Sequence, residues 1–231
     1  MTADIIIIGA GAAGLMAAAG AARTADCKVV VLEKMTRPAR KVMITGKGRC
    51  NLTNAKQWNE FSTHIHPKPN FLKPSFYNLT SEKMIEFLAE QGMESVVERG
   101  DRAFPASHLA SDVVDALLRA AERAGAKVLC GKEVTEILRS TQDDSCHTER
   151  SEVSKKEGFT IKCSDGSSYS CRKLIICTGG LSYPKTGATG DQLDEMNGIM
   201  VDIATNSKAG FKEAGDAVGE VATRFGATGD D

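Results

Sequence analysis

Apolar residues along this chain fall into short unbroken runs separated by segments of helical spacing. Ile5–Ile8 is a continuous β-branched run, the pattern of a strand buried on both faces. Strong helix formers follow from Leu15 to Ala22, and "CKVVVLEK" (27–34) reads as a second strand. In "SEKMIEFLAEQG" (81–92), Met84, Phe87 and Leu88 share a helical face between a Ser81 cap and a Gly92 stop. "ASHLASDVVDALLRAAERAG" (106–125) carries a longer stripe of Leu109, Val113, Ala116, Leu117 and Ala120. "AKVLCG" (126–131) and "EVTEI" (133–137) read as strands, and "FTIKCSDGSSYSC" alternates as a hairpin turning at Asp165–Gly166. "KLIIC" (173–177) is another buried strand. Residues 140–158 are polar and without period, which predicts an exposed, mobile loop. Prolines 67, 69 and 74 make the stretch 61–78, with His64 and His66, a surface loop. The order of strands and helices predicts an α/β fold: a Rossmann-like parallel sheet with flanking helices and an added β-hairpin.

The opening run, "DIIIIGAGAAGLMAAAGAA" (4–22), invites three readings. A secretory signal needs positive charge before its apolar core, and only Asp4 precedes this one. A membrane helix needs about 20 apolar residues without interruption, and Gly9, Gly11 and Gly14 come early here. The third reading uses every residue, because strand, G-x-G-x-x-G and helix follow in order. Gly9 permits the turn, Gly11 lacks the Cβ that would block a pyrophosphate, and Gly14 lets helix and sheet approach. Ala12 and Ala13 then sit at the helix N-terminus, where unpaired N–H groups face an anion. Glu33 closes the second strand where a dinucleotide fold places the acid that binds adenosine ribose hydroxyls.

Composition narrows the partners. Across 231 residues, 29 Lys and Arg nearly cancel 30 Asp and Glu, so no overall field attracts nucleic acid or an anionic membrane, and neither is expected as a partner. Seven cysteines contain no C-x-x-C pair, which excludes a zinc knuckle and a redox dithiol and fits a reducing cytoplasm. Cys146–His147 lacks a second ligand pair, so no metal site is expected.

The glycine motif fits NAD and FAD alike, while the charge of Glu33 disfavours a 2′-phosphate. "RPARKVMITGKGRCNLTN" (37–54) sets Arg37, Arg40, Lys41, Lys47 and Arg49 among Gly46 and Gly48, ending in Asn51, Thr53 and Asn54. Basic side chains between glycines suit an anionic planar ligand, or simply a solvated basic loop.

Taken together, "GAGAAGLMAA", "VLEK", "RKVMITGKGRCNLTN", "DRAFPASHLASDVVDALL" and "LIICTGGLSYPKTGATGD" resemble the BaiN-like, or aminoacetone-oxidase-like, family of bacterial FAD-dependent oxidoreductases. The resemblance implies a two-dinucleotide-binding-type FAD domain over residues 1–191. FAD would be held by Gly9, Gly11, Ala12, Ala13, Gly14, Glu33, Lys34, Arg40, Lys41, Gly48, Arg49 and Asn51, and by Thr178, Gly179 and Gly180, with Val134 against the adenine. Glycine is usual in the family at Ala39, and alanine at Cys177. After Asp191 the sequence departs from that pattern, and the family's substrate domain is expected to be missing. Residues 192–231 resemble a second FAD segment of thioredoxin-reductase type, with Asp216 on the ribityl chain, or else form a disordered polar tail. The expected function is hydride or electron transfer between a reduced donor such as NAD(P)H and an unknown organic acceptor. No protein acid or base is assigned. The alternative is a shortened FAD-binding module, slow or inactive alone, that depends on a partner chain for its substrate side. A thioredoxin-reductase-like electron carrier is disfavoured because its dithiol is absent.

Overall fold

The computed structural model describes residues 1–23, 27–140, 158–180 and 183–187. It divides into two units, one of Met1–Gly179 with Lys185–Gly187, the other of Gly180–Pro184 with Ala188–Asp231. All described strands and α-helices lie in the first unit. Along the chain they run β1 (Thr2–Ile8), α1 (Ala12–Ala22), β2 (Val29–Glu33), α2 (Arg40–Ile44), β3 (Thr53–Asn54), α3 (Trp58–Phe61) and α4 (Lys73–Asn78). Then come α5 (Ser81–Glu90), β4 (Ser95–Glu98), β5 (Arg102–Pro105), α6 (Ala110–Arg123), β6 (Lys127–Cys130), β7 (Val134–Ser140), β8 (Gly158–Cys163) and β9 (Ser168–Ile176).

Six strands form the main sheet in the order β6-β2-β1-β9-β8-β7. The four strands β6, β2, β1 and β9 are parallel, with Ile7 of β1 opposite Val31 of β2 and Ile175 of β9. Both faces are covered, which is why Ile5–Ile8 and Val29–Leu32 read as unbroken apolar runs rather than alternating ones. Ile7, Val29 and Val31 pack with Leu15 and Ala18 of α1 and Ala116 and Leu117 of α6. Ile6, Ile8, Val30 and Leu32 pack on the other side with Ile161, Cys163, Tyr169 and Cys171. Ile6 and Ile7 are fully buried, each stabilising the fold by about 1.5–3 kcal/mol relative to exposure.

Hairpin and strand prove to be one element. β9 pairs antiparallel with β8 over Ser168–Cys171 and parallel with β1 over Ser170–Ile176. The turn is held at Asp165, which accepts from the Ser167 N–H (3.0 Å) and from the Lys132 ammonium. These partners hold the Asp165 carboxyl far below the usual carboxylate range.

A second, three-stranded antiparallel sheet, β3-β5-β4, has no counterpart in the periodicity reading. Its strands are two to four residues long, and Val96 and Val97 are exposed, so local pattern carries almost no signal. Residues 61–78, expected as loop, instead carry short helical turns (Ser62–His64, Pro69–Phe71 and Lys73–Asn78), packed with α3 through aromatic rings. The ring centroids of Trp58 and Phe76 lie 5.2 Å apart, and those of Phe61 and Phe76 5.3 Å apart. His64 and His66 are exposed there, as expected. The cap of α5 shifts by one residue, because Thr80 Oγ1 accepts from the Lys83 N–H (3.3 Å) and Ser81 begins the helix. The α6 stripe is buried apart from Leu109, which precedes the helix and is exposed.

Candidate cofactor site

The site is built at the carboxyl ends of the parallel strands, where β1 gives way to the glycine turn and α1. The three glycines do different work. Gly9 has φ +96°, and a Cβ there would lie 2.5 Å from the Cys177 carbonyl oxygen. A Cβ on Gly14 would lie 1.9 Å from the Gly9 oxygen. Both positions are therefore required by the protein's own packing. Gly11 is different: a Cβ there would meet nothing within 4 Å, and its φ of −72° suits any residue. Packing does not require glycine at Gly11, which leaves open surface beside the turn.

The helix end beside it suits an anion. Ala12 and Ala13 open α1 exposed, and the helix has no side-chain cap and no acid in its first turn. Its first amides and the positive end of its dipole are left for a ligand. The donor set and the open surface fit a dinucleotide pyrophosphate.

Glu33 stands beside this turn at the end of β2. Its Oε2 accepts from the Ala10 N–H (2.7 Å) and its Oε1 from the Met35 N–H (2.8 Å). Backbone bonds extend the tie: Gly9 N–H to Leu32 oxygen (2.8 Å), Ala39 N–H to Ala10 oxygen (2.8 Å) and Lys132 N–H to Glu33 oxygen (2.8 Å). Lys34 follows Glu33 half-buried. Val134 begins β7 opposite Cys163, two residues after Lys132, whose N–H donates to the Glu33 oxygen.

The basic segment starts at Ala39, a buried residue in the left-handed region at φ 51°. Glycine suits that backbone, which accounts for its usual presence in the resembled family. Arg40 and Lys41 open α2, Arg40 exposed and Lys41 half-buried. Gly46, Lys47, Gly48 and Cys50 all have positive φ, so the chain folds back on itself over six residues. The Cys50 N–H donates to the Thr45 oxygen (3.0 Å), closing the loop. Gly48 is open, with nothing within 4 Å of a Cβ placed there. The Asn51 amide nitrogen faces the carbonyls of Thr53 (3.0 Å) and Ala103 (3.3 Å).

Arg49 does not project freely into solvent. Its Nη1 donates to Glu98 Oε1 (3.1 Å) and Oε2 (3.3 Å), and its Cζ lies 4.3 Å from the centroid of the Phe104 ring. His108 Nδ1 lies 3.6 Å from the same Glu98 Oε1. Periodicity does not find Glu98, Phe104 or His108, although Phe104 and His108 fall inside one of the motifs that carry the resemblance.

Cys177 follows β9 and donates its N–H to the Ile8 oxygen (2.8 Å), bringing the Cys177–Gly179 segment against the glycine turn. Thr178 is half-buried, and Gly179 is exposed with φ +80°. Gly180 is exposed and belongs to the second unit. Asp216, the tail 192–231 and residues 141–157 lie outside the described residues. Burial pushes the Cys50 and Cys177 thiols up, so both stay protonated and neither is a ready nucleophile. Among the described residues no group of His, Cys, Asp or Glu is arranged to hold a metal ion.

The family model of the HI0933-like protein Rossmann domain matches residues 3–215. The chain belongs to the HI0933-like family. This is the FAD-dependent oxidoreductase family that the ordered motifs resemble, and its cofactor is FAD. The chain is 32% identical over 198 residues to ribosomal RNA dihydrouridine synthase of Haemophilus influenzae, covering 85% of this chain and 45% of that protein. It is 30% identical over 185 residues to 3-dehydro-bile acid delta(4,6)-reductase of Clostridium scindens, covering 80% of this chain and 41% of that protein. The chain thus spans less than half the length of these relatives. In fold it is similar to 3-ketosteroid-delta4-(5alpha)-dehydrogenase from Rhodococcus jostii RHA1, with a TM-score of 0.52 and 16% identity, covering 79% of this chain and 47% of that one. No helix among the described residues is long and apolar enough to cross a membrane.

Proposed function

We propose that this HI0933-like chain is the FAD-holding part of a reductase that passes hydride from NAD(P)H to an organic acceptor. The observation that carries the reading is Gly11, whose missing side chain leaves open surface at the bare N-terminus of α1. The pyrophosphate lies over Gly11, Ala12 and Ala13, and Glu33 reads the adenosine ribose while holding the turn through Ala10. Lys34, Arg40, Lys41, Gly48, Arg49 and Asn51 line the same ligand, Thr178–Gly180 cross it, and Val134 meets the adenine. Asp216 is proposed for the ribityl chain.

When bound, FAD accepts a hydride from one substrate and gives it to another. The protein's part is to fix the dinucleotide and exclude water. The names of both relatives describe reduction of a carbon–carbon double bond in a ring, since dihydrouridine is uridine with that bond reduced. The acceptor class proposed here is therefore a ring double bond conjugated to a carbonyl. One carbon takes the hydride, its neighbour takes a proton, and the nicotinamide leaves oxidised.

The test is anaerobic stopped-flow absorbance on the FAD-loaded chain. NADH or NADPH should bleach the flavin, and a conjugated ring acceptor, such as a 3-oxo-4-ene steroid or a uridine-containing RNA, should restore it. Fast, saturable bleaching with no reoxidation by any such acceptor would refute the acceptor class.

The RNA arm of the test has its own motivation: residues 34–80 hold nine Lys and Arg against one acid, so the near-neutral total hides a basic segment.

A further inference from the structure

We infer that Glu98 is a positioning residue for FAD, acting through Arg49; the inference rests on the FAD reading above. Arg49 closes the 45–50 loop, where four positive φ angles fix the backbone but leave a long side chain free to swing. Two groups from the second sheet remove that freedom. The Glu98 carboxylate takes both bonds from a single nitrogen, Nη1. The Phe104 ring, 1% exposed, supports the guanidinium face at 4.3 Å. Among the described residues Nε and Nη2 donate to nothing, so one edge of the fork is anchored and the other is presented.

This arrangement differs from an ordinary surface ion pair. Such pairs contribute little to stability, because two long side chains must be ordered for a screened attraction. Here the ordering cost is already met by the rigid loop and the ring, and the anchored fork retains donors for a planar, oxygen-rich ligand. His108 faces the same carboxylate at 3.6 Å, and the Arg102 Cζ, on the same strand as Phe104, lies 5.8 Å from the Phe104 centroid. Glu98 and Arg102 are directly opposite in the β4–β5 ladder, so the small sheet fixes the clamp as a unit. The sheet whose strands are too short to read from sequence thus has a role: it holds Arg49 still.

The test is a double-mutant cycle read by FAD titration of the full chain, with the visible spectrum of bound flavin as a second readout. Glu98→Gln should raise the FAD dissociation constant at least about threefold, and Arg49→Ala should do the same or more. In the Arg49→Ala background, Glu98→Gln should add less than about twofold, because the group it acts through is gone. Glu98→Asp, which keeps the charge, should return most of the affinity. The spectral change caused by Glu98→Gln should match that of Arg49→Ala, which loss of stability alone would not produce. Should Glu98→Gln fail to fold, Arg49→Lys gives the same reading, since an ammonium cannot bridge Glu98 and keep a free planar edge. Wild-type affinity in Glu98→Gln, or effects that add in the double variant, would overturn the clamp while leaving FAD binding intact. A wild-type chain that binds no FAD would overturn both.

Discussion

The Ala10 N–H donates to Glu33 Oε2 at 2.7 Å, joining the glycine turn after β1 to the acid that ends β2. Through this bond one carboxylate serves two purposes. It shapes the turn through Ala10 and Met35, and in the proposed function its remaining lone pairs serve ribose hydroxyls.

Glu33→Ala should therefore cost both stability and affinity. Two backbone amides, at Ala10 and Met35, lose a charged acceptor. Hydrogen bonds to charged groups contribute roughly 1.5–3 kcal/mol each at most. FAD binding should weaken at least tenfold, and thermal unfolding of the FAD-free chain should move down. A dissociation constant within twofold of wild type, by fluorescence titration, would refute the role in the site.

Gly14→Ala should fail for a different reason. The added methyl would sit 1.9 Å from the Gly9 carbonyl oxygen, which is backbone and cannot rotate away. The expected loss is about 3 kcal/mol or more in the FAD-free chain, measured by urea unfolding. A stable Gly14→Ala protein would mean that α1 and β1 are not in the close contact described.

Ala39 tests the departure from the resembled family. Its φ of 51° costs an L-residue about 1–2 kcal/mol, while its buried methyl repays part of that. Ala39→Gly should change stability by less than about 1 kcal/mol, whereas Ala39→Val should be clearly destabilising because branching worsens the left-handed backbone. Equal melting temperatures for all three proteins would contradict the assigned backbone.

Much of this architecture is legible in the sequence because its determinants are local. Ile5–Ile8, the three glycines, the helix formers and Glu33 follow one another within about thirty positions, and each carries its own physical signature. Pairing that depends on distant partners is far less visible. Thr53 lies opposite Ala103, and Val96 opposite Phe104, and nothing near either pair announces it. The same limit hides the Glu98–Arg49 clamp, whose members are 49 residues apart. It also splits β9, because a strand antiparallel to one neighbour and parallel to another shows two patterns in succession. Ser81 reads as a cap on residue type alone, and only the Thr80 hydroxyl geometry decides between neighbours.

The central claim is that the chain binds FAD over Gly11, and one comparison tests it most directly. FAD titration should be run on the wild type and Gly11→Val, with melting of both FAD-free proteins as the control. A Cβ at Gly11 would meet nothing within 4 Å, so the fold should lose no more than about 1 kcal/mol, the size of an N-cap preference. FAD affinity should nevertheless fall at least tenfold, or about 1.4 kcal/mol, because the valine occupies the space the pyrophosphate needs. A Gly11→Val protein that folds, purifies yellow and binds FAD as tightly as wild type would contradict the account.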